Sequence, residues 1–163
     1  MPRPLDELQI VLAQMIDEHR KLLAEADRHQ TAIRTMDTAG MDASRLRQDA
    51  IRNRIGQFES RRRALADQCA PGHRAPPMMT LTRLAELNPH ARAKLIAQRD
   101  ELKSLIGQIS QRTHVAGRVA GAMLGHLNSV VRLLAGAVQQ AGVYTKHGVP
   151  KFTARIGALE TVG

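Results

Sequence analysis

The chain of 163 residues is long enough for one domain, or for one helical body with a loose end. Aromatic residues make up 2% of it and tryptophan is absent, so Leu, Ile, Val, Met and Ala must fill the interior, which favours helix packed on helix. A net charge of +9 with a pI near 11.0 calls for an anionic partner, but sign alone does not choose among nucleic acid, membrane and acidic protein.

The N-terminus, Met-Pro-Arg-Pro-Leu-Asp-Glu, enters an acidic amphipathic pattern directly. No apolar h-region precedes it, so a secretory signal is not expected and the cytoplasm is the expected compartment. From Leu5 onward apolar residues step by three and four: Leu5, Leu8, Leu12, Met15, His19, Leu22, Ala26, His29, Ile33, Met36. A seam this regular predicts a helix over about 4–37 that lies lengthwise along a neighbour. The two seam histidines are spaced far from the i, i+4 of a helical metal pair and read as partly buried or rim residues.

Asp37 to Asp42 breaks the pattern with Gly40 and supplies Asp42 as the N-cap of a second helix over about 43–69, which predicts an antiparallel hairpin. That helix carries Leu46, Ile51, Ile55, Phe58, Leu65 and Cys69 on one side, with Arg62 in the slot between them. Its other faces hold Arg45, Arg47, Arg52, Arg54, Arg61 and Arg63, interspersed with Asp49, Glu59 and Asp67. Arginines in such a row neutralise phosphates in nucleic-acid binders. The interspersed acids and the absence of stacking aromatics point instead to a solvated face. Cys69, the one cysteine, excludes an intramolecular disulfide and reads as a small apolar residue.

Residues 70–80, with Pro71, Gly72, Pro76 and Pro77, form a linker. Leu81, Leu84 and Leu87 give a short helical turn over 81–87. Asn88 as N-cap and Pro89 at the first helical position then open a third, very long helix over 89–142, closed by Gly142. Its seam runs Leu102, Ile106, Ile109, Thr113, Ala116, Ala120, Met123, Leu127, Val130, Leu134, Ala137, Ala141, with an overlapping stripe possible through Leu105 and Val131. A straight helix of this length spans about 80 Å, so the molecule is elongated or the helix bends. Up to Arg112 the helix is charged; beyond Thr113 it is small and apolar, with Gly117, Gly121 and Gly125 in one row. Each glycine costs about 1 kcal/mol against alanine. Tight packing, a groove open to a partner helix, and a bend would each account for them. Val119 to Val131 is apolar but bounded by Arg118 and Arg132, short of the roughly 20 residues of a membrane span, so stable membrane insertion is not expected. Residues 143–163, broken by glycine and proline, are expected to be a flexible tail.

The fold expected is all-α: an elongated antiparallel three-helix bundle or coiled coil over 1–142, with one very long C-terminal helix and a flexible tail. No phosphate-cradling glycine loop, nucleophile elbow, His-Glu-x-x-His or cysteine pair occurs. No catalytic residue, metal site or cofactor is therefore expected, and function should reside in apolar surfaces and the tail.

The order of elements resembles the FlgN-type flagellar export chaperones. The likeness lies in Glu18-His19, Leu22-Leu23 and Glu25 of the first helix, and in the acidic turn at Asp37. It continues in Phe58-Glu59 to Arg63-Ala64-Leu65 closing the second helix, and in the Tyr-x-x-x-Gly segment Tyr144 to Gly148 after the third. The asparagine pair usual in the family's third helix is replaced by Gln111 and His114. The resemblance implies a non-catalytic chaperone that binds the C-terminal amphipathic helices of hook-filament junction proteins, prevents their premature assembly and delivers them to the export gate and export apparatus. Tyr144, with Gly148, would dock at that gate. The client-facing candidates are Ala116, Ala120, Met123, Leu127, Val130 and Leu134, where the long seam outruns the two helices available to cover it. The alternative is a basic nucleic-acid-binding protein or a self-associating coiled-coil scaffold.

Overall fold

A computed structural model describes residues 3–69 and 79–142, with side chains placed as far as residue 138. Residues 70–78 of the linker and the C-terminal segment with Tyr144 and Gly148 lie outside the described residues. Four helices and no strands are present among the described residues: α1 (Pro4–Arg34), α2 (Thr38–Gln68), α3 (Leu81–Leu87) and α4 (Arg92–Gly142). Residues 1–120 form one compact unit and residues 121–163 a second, with α4 running through the division.

Helix α1 starts with Pro4 in its first turn, where a missing N–H costs nothing, and Asp6 and Glu7 complement the positive end of the helix dipole. It ends three residues earlier than the periodicity predicts. Met36 adopts a left-handed backbone, φ 54°. Its N–H donates to the Ile33 carbonyl at 3.1 Å, and the Asp37 N–H donates to Ala32 at 2.9 Å. That is a Schellman closure with methionine where glycine is usual. The chain then re-enters helix at once, because the Asp37 carboxylate accepts from the Gly40 N–H at 2.9 Å. Asp37 is thus the N-cap of α2, and Asp42, the expected cap, is already inside the helix. A Cβ on Gly40 would stand 2.1 Å from the Asp37 Oδ2, so glycine leaves the cap its room.

The hairpin is antiparallel, and its register is written in charge. Glu18 pairs with Arg54 (2.9 Å) and Glu25, one heptad on, with Arg47 (3.0 Å), one heptad back. Both carboxylates are buried, at 6% and 4% exposure, and each takes a second cation from its own helix, Lys21 and Arg28. Ser44 donates to the Glu25 carbonyl at 3.0 Å, which tightens the hairpin near its turn. Burial on its own would raise the Glu18 carboxyl, but the hydrogen bonds from Lys21 and Arg54 outweigh it and hold the group below its ordinary value. Glu25 follows the same pattern, with Arg47 and Arg28 opposing burial.

The apolar core of residues 1–120 joins Leu8, Val11, Leu12, Met15 and Ile16 of α1, Leu65 and Ala66 of α2, Leu84 and Ala85 of α3, and Ala91, Leu95, Leu102 and Leu105 toward and along α4. Helix α4 runs in the same direction as α1, since Gln98 donates to the Gln9 carbonyl at 3.0 Å and Arg112 pairs with Asp27 at 2.9 Å. The result in this unit is an up-down-up three-helix bundle.

Three expectations are corrected here. Asn88 does not cap α4: its side-chain amide donates to the Leu84 carbonyl at 2.9 Å and finishes α3, and a turn through Pro89 carries the chain to Arg92. Leu46 is 62% exposed, because Ser44 and Gln48 take the buried positions near the turn. Ile106 is 54% exposed while Leu105 is buried, so the seam of early α4 passes through Leu102 and Leu105, one step from the stripe drawn through Ile106.

Candidate functional site

The arginines of α2 are accounted for within the hairpin. Arg47 and Arg54 hold Glu25 and Glu18, Arg45 and Arg52 hold Asp49, Arg61 reaches Glu7, and Arg62 and Arg63 hold Glu59. The Arg62 hydrogen bond, against the opposing effect of burial and with help from Arg63, brings the Glu59 carboxyl down to about 2. A groove of about 340 Å³ between α1 and α2 is lined by the ion-paired Lys21, Glu25, Arg28, Arg47 and Arg54 together with Ala24, Ala50 and Ile51. Residues 1–69 carry twelve Lys and Arg against eleven Asp and Glu. This face therefore has little uncompensated charge to offer a phosphate backbone. Cys69 is half-buried, and burial pushes its thiol up, the reverse of what a nucleophile needs.

The last third of α4 is different in kind. Leu124, Leu127, Val130, Val131, Leu133, Leu134 and Val138 are all exposed, from 38% at Val130 to 74% at Leu133. At about 100° per residue they cover roughly half the helix circumference, wider than the stripe by which a helix packs on one neighbour. The remaining arc holds Gly121, Gly125, Asn128, Ser129 and Arg132. A Cβ placed on Gly117, Gly121 or Gly125 meets nothing within 4 Å, so close packing against a neighbouring backbone, one of the three explanations of the ridge, does not hold among the described residues.

Of the client-facing candidates, Leu127, Val130 and Leu134 lie exposed on this surface and Met123 is half-buried beside them. Ala120 is half-buried in the first unit. Ala116 is buried at 7%, so its methyl group belongs to the core of residues 1–120 and is not open to a partner. Sequence periodicity missed Leu124, Leu133 and Val138, and reached Val131 only through the overlapping stripe. A single 3–4 stripe cannot represent a face that occupies half the helix, and the doubled Val130-Val131 and Leu133-Leu134 were the signal of that width. Gln111 and His114 are both exposed.

By length and composition, α4 over Arg92–Val138 is also long and apolar enough to cross a membrane. Arg118 and Arg132 bound its most apolar part. Among the described residues, distal α4 thus carries one broad apolar face that no neighbouring side chain covers. The family described as FlgN protein matches residues 1–151, and the chain belongs to that family, the flagellar export chaperones. No curated protein and no solved structure gives a match.

Proposed function

We propose that this protein is a cytoplasmic, non-catalytic chaperone that binds the C-terminal amphipathic helices of hook-filament junction proteins through α4. By covering those helices it prevents premature assembly, and it delivers the subunits to the export gate and export apparatus, with Tyr144 and Gly148 as the contact there. The observation that carries the reading is the exposed face of Leu124, Leu127, Val130, Val131, Leu133, Leu134 and Val138. Fully covering one such side chain contributes about 1.5–3 kcal/mol, while association costs about 4–15 kcal/mol in lost freedom. No single anchor therefore suffices, and the client must engage most of the face.

The test is co-purification of the full chain with the C-terminal helices of hook-filament junction proteins. The double variant Leu127→Asp, Leu134→Asp should lose the client while its circular dichroism and melting temperature stay unchanged, since both positions are exposed. Tyr144→Ala should keep the client and lose its export. Undiminished client binding by the folded double variant would sink the assignment of the face.

A further inference from the structure

The groove between α1 and α2 is built alike from both sides. Helix α1 lines it with Lys21, Ala24 and Arg28, and α2 with Arg47, Ala50 and Arg54, in each case a cation, an alanine and a cation at i, i+3 and i+7. At about 1.5 Å per residue, the two cations of either helix are set about 10 Å apart along its axis. Because the helices are antiparallel, Lys21 and Arg54 meet at one end over Glu18, and Arg28 and Arg47 at the other over Glu25. Four cations thus share two carboxylates, and the groove keeps a surplus of two positive charges although residues 1–69 as a whole are nearly balanced. On a helix, an arginine is neutralised by acids three or four residues away. For Arg47 and Arg54 those positions hold Ala43, Ser44, Ala50, Ile51, Gln57 and Phe58. On the α1 side the next carboxylate, Asp17, pairs with Arg20 at 3.2 Å.

Donors are left over as well as charge. Arg47 and Arg54 hold their carboxylates through Nε, at 3.0 and 2.9 Å, and among the described residues the terminal nitrogens of both guanidiniums have no hydrogen-bond partner. Both side chains are about half exposed, so these donors face solvent across a floor of Ala24, Ala50 and Ile51.

We propose that this groove is a second docking surface, and that its occupant is an acidic helical segment of a partner protein with two carboxylates one heptad apart. Carboxylates at that spacing, also about 10 Å, reach the Lys21–Arg54 and Arg28–Arg47 ends together. A small side chain between them rests on the apolar floor. Glu18 and Glu25 already fix one edge of Arg54 and Arg47, so their free edges are presented with little further loss of freedom. Single exposed ion pairs contribute little, which requires both ends to engage. A nucleic-acid strand suits the groove less well, because its charges recur every few Å and the groove offers cations at two places only. The site shares no residue with the client-binding face proposed above, so each stands or falls separately.

The experiment uses the full chain and two labelled helical peptides, one with two glutamates a heptad apart and alanine between them, the other with glutamine in place of both. Fluorescence anisotropy at low salt should show the glutamate peptide binding at least about tenfold more tightly, with the gap closing at high salt as screening shortens the reach of the charges. Ala50→Glu, at an exposed position, brings a carboxylate into the groove three residues from Arg47 and four from Arg54. Its melting temperature should be unchanged or raised, and its affinity for the glutamate peptide at least about tenfold lower. Ala50→Gln, of the same size without the charge, should keep the affinity within about twofold. Equal binding of the two peptides, or undiminished binding by folded Ala50→Glu, overturns the proposal. So does an equal loss in both Ala50 variants, which would assign the effect to bulk. Inorganic phosphate or a DNA duplex that displaces the glutamate peptide at a lower concentration than unlabelled peptide does would assign the cations to another anion and overturn it too. The Leu127→Asp, Leu134→Asp variant should bind the glutamate peptide as the unsubstituted chain does, and a loss there would place the peptide on distal α4 and overturn the assignment to this groove.

Discussion

The α1–α2 hairpin and the last third of α4 use their helical surfaces in opposite ways. In the hairpin, carboxylates are brought in and paired: Glu18 and Glu25 sit buried among cations, and every arginine of α2 has a carboxylate. In distal α4, apolar groups are left out, with Leu133 at 74% exposure and Leu124 and Val131 at 62% each. Buried ion pairs add little net stability, because desolvation offsets attraction, but they penalise wrong registers strongly. The hairpin therefore specifies one alignment of its own helices. Among the described residues, distal α4 carries large apolar side chains that no neighbour covers.

Truncating a leucine in each region separates the two most sharply. Leu12→Ala, at a position with 0% exposure, should cost about 2–5 kcal/mol and lower the melting temperature markedly. Leu127→Ala, at 45% exposure, should change unfolding by no more than about 0.5 kcal/mol. A large loss of stability at Leu127 would mean that distal α4 is covered from within and would break the comparison.

Acid titration tests the paired region next. Glu18, Glu25 and Glu59 all have folded values below the ordinary 4.5, so their contribution is present above that pH and is lost as pH falls through the folded values. For Glu59 the window runs from 4.5 down to about 2. Thermal melts followed across it should show falling stability. Glu25→Gln should lower stability at neutral pH by roughly 1–3 kcal/mol, since it weakens charge-assisted hydrogen bonds to Arg28 and Arg47, and should flatten the acid slope. A melt unaffected by either change would show that the ladder does not contribute.

A modest gain in stability is expected at the turn between α1 and α2. Met36→Gly at φ 54° removes left-handed strain at an exposed site and should stabilise the protein by about 1 kcal/mol, visible as a rise in melting temperature. Client binding should not change with it.

Periodicity alone determined that the chain is all-α, that α1 buries Leu8, Leu12, Met15, His19, Leu22, Ala26 and Ile33 along one seam, and that α4 is very long and changes character near Thr113. These follow from local rules, because a 3–4 spacing repeated over several turns commits a helix and its inward face whatever lies opposite. The family likeness was legible in the same way, through the order of helices and a few residues within them. Tertiary structure decided what needs a second element to define it. Only packing against α1 selected Leu105 over Ile106, made Glu18 and Glu25 interior groups, and turned the α2 arginines from a candidate phosphate footprint into a register ladder. Local hydrogen bonds overruled composition at both turns: Met36, expected in the seam, took the left-handed position that ends α1, and Asn88 closed α3 instead of opening α4. The breadth of the exposed surface on α4 likewise depended on what was absent around it, since an apolar residue is written the same way in a sequence whether a neighbour covers it or not.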